Sequence, residues 1–162
     1  MAKDSVKEKK DIEKQIIDLF IDRFYNIFGW KYQLLELRES PDAVVLSERG
    51  KKVGIEITQL FSSQEEARYL LGKESYSEKI MQENDLIVAL NHILIKKDEK
   101  YRDYSFEGPI MLVIRSATPD IDFEYLKINE EKLYIPQNYK NVWLLADSQD
   151  EYNRWTNLIK LK

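Results

Sequence analysis

The chain has 162 residues and a mass of 19.3 kDa, enough for one sizeable hydrophobic core, and its 25 Lys and Arg against 29 Asp and Glu leave a net charge of −4. It has no cysteine and 1 histidine, His92, which excludes a disulfide framework, a thiol nucleophile and a clustered Cys or His metal site, and argues against a His-centred triad. With 43% hydrophobic and 33% charged residues it is composed as a globular chain, and its chemistry has to run on carboxylates, lysines, hydroxyls or a hard metal ion.

The segment MAKDSVKEKKDIEK is too charged for a secretory signal, and residues 1–28 read as one amphipathic helix. Ser5 with Glu8 three positions later has the pattern of a capping box, and Gly29 stands where the helix should stop. Ile12, Ile16, Leu19, Phe20, Phe24, Ile27 and Phe28 recur at helical spacing as its buried stripe. Glu13 sits at the edge of that stripe, in register with Ile17, Phe20 and Phe24. An acid so early in a helix is ordinarily a solvated complement to the helix dipole.

Strands are expected at Tyr32–Leu37, Ala43–Leu46 and Lys52–Leu60, the last two joined by a turn at Ser47–Gly50 with Gly50 at positive φ. Along the third, Val53, Ile55, Ile57 and Gln59 face one way and Gly54, Glu56, Thr58 and Leu60 the other. Glu56 is thus an acid within an otherwise apolar strand, costly to bury unless it is paired, hydrogen bonded or bound to a metal.

Phe61–Ser75 is polar and broken by Gly72. A long helix is expected over Ser77–Lys100, with Ile80, Ile87, Leu90 and Leu94 as its stripe; Lys96, Lys97 and Lys100 at its end are ordinary complements to the helix dipole. His92 falls mid-helix and is assigned no role. Ile110–Ile114 (IMLVI) reads as a strand buried on both faces and Val142–Ala146 as another. A polar stretch with Pro119 and Pro136 lies between them, and a short helix is expected from about Gln149 to Ile159. The aromatic residues, 12% of the chain, are assigned to the core rather than to base stacking. The order implies an α/β fold, one domain over residues 1–162, with a central mixed sheet flanked by helices. No apolar run reaches the length of a membrane span, so no membrane association and a cytoplasmic location are expected.

Ser40-Pro41-Asp42-Ala43-Val44-Val45-Leu46, followed by Gly54-Ile55-Glu56-Ile57-Thr58, resembles the hairpin of the PD-(D/E)XK (restriction endonuclease-like) nuclease superfamily. There a Pro-Asp opens one strand and an acid-x-lysine lies on the next. The resemblance covers roughly Asp11 to Ile114: the leading helix, the hairpin, the long helix ending Lys96-Lys97-Asp98-Glu99-Lys100-Tyr101, and the IMLVI strand. The layout looks like that of uncharacterised members whose hairpin ends in Glu-x-Thr. It implies a restriction endonuclease-like fold and a Mg²⁺- or Mn²⁺-dependent hydrolase that cuts nucleic acid, DNA ahead of RNA, in defence or repair. The chemistry accounts for the spacing, since carboxylates on adjacent strands can share one Mg²⁺ that keeps several waters. On this resemblance Asp42 and Glu56 are the metal ligands, and Glu13 matches a helix acid that some members add.

Thr58 occupies the position of the motif lysine. It supplies no positive charge, although its hydroxyl can bond a metal-bound water. Lys52 shares a face with Glu56 but lies roughly 13 Å along the strand. Lys79, or a lysine of the later helix such as Lys97, is the candidate replacement. Pro119-Asp120 with Glu130-Glu131-Lys132 matches the literal motif, lysine included, but in a polar stretch with too little chain after it to build the required helix and sheet.

Outside the family pattern, Asp42 reads as a turn acid after proline and Glu56 as an ion-pair partner of Arg38 or Lys52. The competing function keeps the fold and drops the catalysis: an acidic binding module, such as an immunity protein for a basic toxin or a subunit of a nuclease complex. The absent lysine and negative net charge favour the module. Asp42 and Glu56 on a shared site favour the nuclease, because an unpaired buried acid destabilises a fold that has no use for it. Either reading is compatible with a homodimer or a protein partner.

Overall fold

The computed structural model describes residues 2–60, 83–116, 123–149 and 154–162. Helix α1 (Ala2–Phe28) leads into β1 (Gln33–Leu37), β2 (Ala43–Leu46) and β3 (Lys52–Gln59); then come α2 (Glu83–Lys100), β4 (Ile110–Ser116), a short α3 (Phe123–Ile128), β5 (Asn141–Gln149) and β6 (Arg154–Lys160). The strands form one six-stranded sheet in the order β1-β2-β3-β4-β5-β6. β1, β2 and β3 form an antiparallel meander, β3, β4 and β5 run parallel, and β6 returns antiparallel to β5. The fold is α/β with a mixed sheet, as expected.

The alternation of side chains along the strands divides the core into two layers. Val53, Ile55 and Ile57 of β3, Met111 and Val113 of β4, and Trp143 and Leu145 of β5 pack under Ile16, Ile17 and Phe20 of α1. Ile110, Leu112 and Ile114, with Val142, Leu144 and Ala146, pack on the opposite face with Leu86, Ile87, Leu90 and Leu94 of α2. The central strands are therefore apolar on both sides, which is why IMLVI reads as an unbroken hydrophobic run. Among the described residues no helix is long and apolar enough to cross a membrane.

Several expectations need correction. The C-terminal segment expected as a helix is strand β6, paired to β5 from Trp143↔Lys160 to Gln149↔Arg154. Pairing satisfies an otherwise open backbone edge of β5, and alternation sends Leu158 into the α1 layer and Ile159 against the other. The helix α1 starts at Ala2, so Ser5 and Glu8 lie inside it and do not cap it. Its burial is confined to the middle turns, with Ile12, Ile27 and Phe28 exposed. Gly29 does end it, at φ 73°, with its N–H donating to the Tyr25 carbonyl at 2.8 Å. The start expected for the long helix at Ser77, and the polar Phe61–Ser75 segment, lie outside the described residues.

Candidate active site

Ala43 pairs with Ile55 across the β2–β3 ladder, which sets Asp42 opposite Glu56. The approach to β2 is tight: Pro41 follows a cis peptide bond, and a Cβ on Gly54 would come within 2.8 Å of its ring. Gly54 thus lets the Pro41 ring lie close to β3 and carry Asp42 over it. The Asp42 carboxylate is then fixed at Oδ2 by the backbone N–H of Ile57 at 2.8 Å, and its own carbonyl accepts from the Arg38 N–H at 2.7 Å.

Asp42 (6% exposed) and Glu56 (2%) are both buried, as is Glu13 (7%) on α1. Glu13, well inside α1, is therefore not the solvated first-turn acid expected. These carboxylates line one cavity of about 580 Å³, together with Thr58, Lys9, Lys97 and Lys100. Thr58, two residues beyond Glu56, shares its face. The ammonium of Lys97 stands 3.8 Å from Glu56 Oε2, and that of Lys9 stands 3.5 Å from Glu13 Oε1. Glu56 is thus paired with Lys97 rather than with Arg38 or Lys52. Arg38 donates instead to the Ser105 carbonyl at 2.6 Å.

The electrostatics are those of acids held together out of water. Burial, then a hydrogen bond and repulsion from Glu56, push Asp42 up to about 7, against the opposing Ile57 N–H and Lys97. Glu13 is raised by burial and then by the charge of Asp42. Burial lowers Lys97 from the ordinary lysine value, partly offset by Glu56. Oε2 of Glu13 and Oε2 of Glu56 are buried with no hydrogen-bond partner among the described residues. A buried oxygen left so costs free energy unless a ligand completes it.

The end of α2 is held in place by residues that sequence patterns do not reveal. Tyr139 donates its hydroxyl hydrogen to the Lys97 carbonyl at 2.9 Å and lies 2.8 Å from the Tyr104 hydroxyl. Burial, then the adjacent Glu56, raise the Tyr104 phenol far above its usual range, so it stays neutral. Asp98 accepts from the Tyr134 hydroxyl at 2.6 Å. Only the contact geometry brings the loop before β5 onto the last turn of α2.

Of the candidate residues, Glu13, Asp42, Glu56, Thr58 and Lys97 meet at this cavity, while Lys79 lies outside the described residues. Within the alternative motif, Glu130, Glu131 and Lys132 form an exposed 3-10 turn. Comparison with protein-family models, curated proteins and solved structures found no match.

Proposed function

We propose that this chain is a divalent-metal-dependent nuclease of the PD-(D/E)XK, restriction endonuclease-like type, in which Lys97 takes the part of the motif lysine replaced by Thr58. The observation that carries this reading is the state of Glu56. Its carboxylate is buried opposite Asp42, keeps one oxygen without a hydrogen bond among the described residues, and faces an ammonium 3.8 Å away at an open cavity.

Mg²⁺ or Mn²⁺ suits these residues. Among the described residues no group of three or more His, Cys, Asp or Glu side chains is gathered to cage a metal ion. Mg²⁺ does not need a cage, because it is commonly held by one or two carboxylates, with waters and substrate phosphate completing its shell. Asp42 and Glu56 would hold it, and Glu13 would add negative charge from α1. A bound ion supplies Lewis acidity toward a phosphodiester and a lowered pKa for water.

The chain's own residues supply the rest. Ile57 N–H fixes the direction of the Asp42 carboxylate. Lys97 places a cation where negative charge on a phosphate would grow, pre-positioned by the Tyr139 bond to its backbone. The Thr58 hydroxyl adds a donor and acceptor on the same face as Glu56.

The test is cleavage of a panel of DNA and RNA substrates by purified protein with Mg²⁺, with Mn²⁺ and with chelator. Metal-dependent cleavage that Asp42→Asn abolishes without loss of folding supports the nuclease. Intact substrates beside active control enzymes would return the chain to the binding-module reading.

A further inference from the structure

A second cavity, of about 340 Å³, opens between the end of α1, the Ser47–Gly50 turn and the entry to β5. Its wall is aromatic. Phe24 and Tyr32 lie with ring centroids 5.0 Å apart, and Trp30 is left 47% exposed. Phe24 and Tyr32 pack against the α1-side core, as expected of the aromatics, whereas Trp30 stands out of it, and nothing in the metal-site chemistry explains a tryptophan at a cavity mouth.

The rim is cationic. Lys31, Arg49, Lys51 and Lys140 line it against one acid among the described residues, Glu48. Among the described residues none of those cations is ion-paired, and Glu48 instead accepts the Lys31 backbone N–H at 3.0 Å. In a chain of net charge −4 this is a local reversal of sign. The turn that carries Arg49 and Lys51 is also held in place. Gly50, at φ 77°, closes the turn by donating to the Ser47 carbonyl at 2.9 Å, and the Lys51 N–H donates to Ser47 Oγ at 3.1 Å. Arg49 on that turn lies 5.1 Å over the Trp30 ring.

We propose that this cavity binds a nucleotide unit of single-stranded nucleic acid, its base against Trp30 and Arg49 and its phosphates on Lys31, Lys51 and Lys140. An aromatic plane beside a guanidinium is a stacking platform that accepts any base. Unpaired lysines beside it provide the phosphate attraction. The volume is at the low end of ligand cavities, suited to one nucleotide and too confined for a duplex. An acidic peptide would satisfy the lysines but leave the aromatic wall without a ring to stack. The side chains line a hollow rather than a protruding ridge, which disfavours a lipid surface.

Among the described residues the cavity shares no lining residue with the metal site. It lies on the α1 face of the sheet, and the chain from Lys51 to Glu56 spans about 17 Å when extended. The proposal therefore stands whether or not Asp42 and Glu56 catalyse anything.

The experiment is done in chelator, so that cleavage plays no part. A labelled oligothymidine of twelve nucleotides is titrated by anisotropy, with intrinsic tryptophan fluorescence as a second readout. Binding should weaken with salt at a log–log slope near −2, as about three phosphate contacts on a single strand require. Trp30→Ala should weaken it roughly ten-fold, the loss of one stacked base, while Trp30→Phe keeps most of it. Lys51→Glu should weaken it and flatten the salt slope; Lys51 is exposed, so this variant should fold if Trp30→Ala does not. Adenosine monophosphate should compete better than pyrophosphate. The proposal is overturned if Trp30→Ala binds like wild type, if pyrophosphate competes as well as the nucleotide, if duplex binds as tightly as single strand, or if anionic vesicles bind in a Trp30-dependent way while the oligonucleotide does not.

Discussion

The ammonium of Lys97, in the last turn of α2, stands 3.8 Å from Oε2 of Glu56 in the middle of β3. Separated by the chain that crosses between parallel strands, these residues meet because α2 packs on the face of the sheet that Glu56 occupies. The distance is too long for a hydrogen bond and short enough for a strong ionic interaction. Lys97 offsets the charge of the carboxylate while leaving one of its oxygens without a hydrogen bond among the described residues, an arrangement suited to a ligand rather than to a closed ion pair.

If Lys97 replaces the motif lysine, Lys97→Ala should lower the cleavage rate by about 10²–10³-fold, the usual cost of removing one fixed donor from developing charge. Thr58→Lys in the wild-type background should also slow cleavage, because a second ammonium crowds the first. In the Lys97→Ala background the same Thr58→Lys change should restore part of the rate. Single-turnover cleavage by the single and double variants tests this. A Lys97→Ala protein that melts lower but cleaves at the wild-type rate would reduce Lys97 to a structural partner of Glu56.

Metal binding has a readout that needs no substrate. An ion that binds only the folded chain stabilises it by about 2.7 kcal/mol at one hundred times its dissociation constant. For a domain of this size that raises the melting temperature by roughly 5–10 °C. Glu56→Gln should remove the shift with both Mg²⁺ and Mn²⁺. An unchanged melting temperature and no heat of binding in wild-type protein would take the metal out of the mechanism.

The sequence carried the hairpin and its acids because strand alternation is a local rule. Once Gly54, Glu56 and Thr58 are placed on one strand, their shared face follows, and Pro41-Asp42 is fixed by the short turn at Ser47–Gly50. Lys97 was legible only as one of several lysines, since its meeting with Glu56 depends on how α2 crosses the sheet. Its partner Tyr139 had no local signal at all. The strand Arg154–Lys160 is hidden in the sequence for a related reason. Its strand character comes from pairing with β5, a tertiary contact that overrides a short amphipathic pattern. Glu13 looked like a dipole complement, and only the approach of β2 to α1 shows it to be buried.

Gly54 should be as sensitive as the acids although it bears no side chain. A Cβ there would lie 2.8 Å from Pro41 Cγ and 3.1 Å from Ile110 Cγ1. Relief requires the Pro41 ring to move, and Asp42 moves with it. Gly54→Ala should therefore cost on the order of 1–3 kcal/mol of stability, as overpacking does, and reduce metal binding more than an equally destabilising change in the α2 layer, such as Leu94→Val. Calorimetric metal titration of both variants separates the effects. Equal affinity in the two would mean that Pro41 does not position Asp42.

Asp42 gives the site its pH dependence. In the folded chain it titrates at about 7, against an ordinary value of 3.8. Between those values the native state holds a proton that the unfolded chain has lost. The stabilising effect of this neutral form is fully present below the unfolded value and is lost as pH rises through the folded one. Without metal, the wild-type melting temperature should therefore fall relative to Asp42→Asn between about pH 4 and 7 and level off above. A loss of about 4 kcal/mol, or roughly 8–16 °C, is the scale set by a rise from 3.8 to about 7. The comparison with Asp42→Asn cancels the slope of the same sign that Glu13 owes to burial, and leaves in the difference the part it owes to the charge of Asp42. Lys97, lowered by burial, is present in both proteins. Metal binding requires the carboxylate, so the affinity for Mg²⁺ should rise with pH through about 7 and level off there. Melting curves from pH 4 to 8, with chelator and with Mg²⁺, measure both limbs. If wild type gained stability relative to Asp42→Asn as pH rose over that range in chelator, the carboxyl would have to be ionised and well paired in the folded chain, and burial opposite Glu56 would not set the pH dependence of the site.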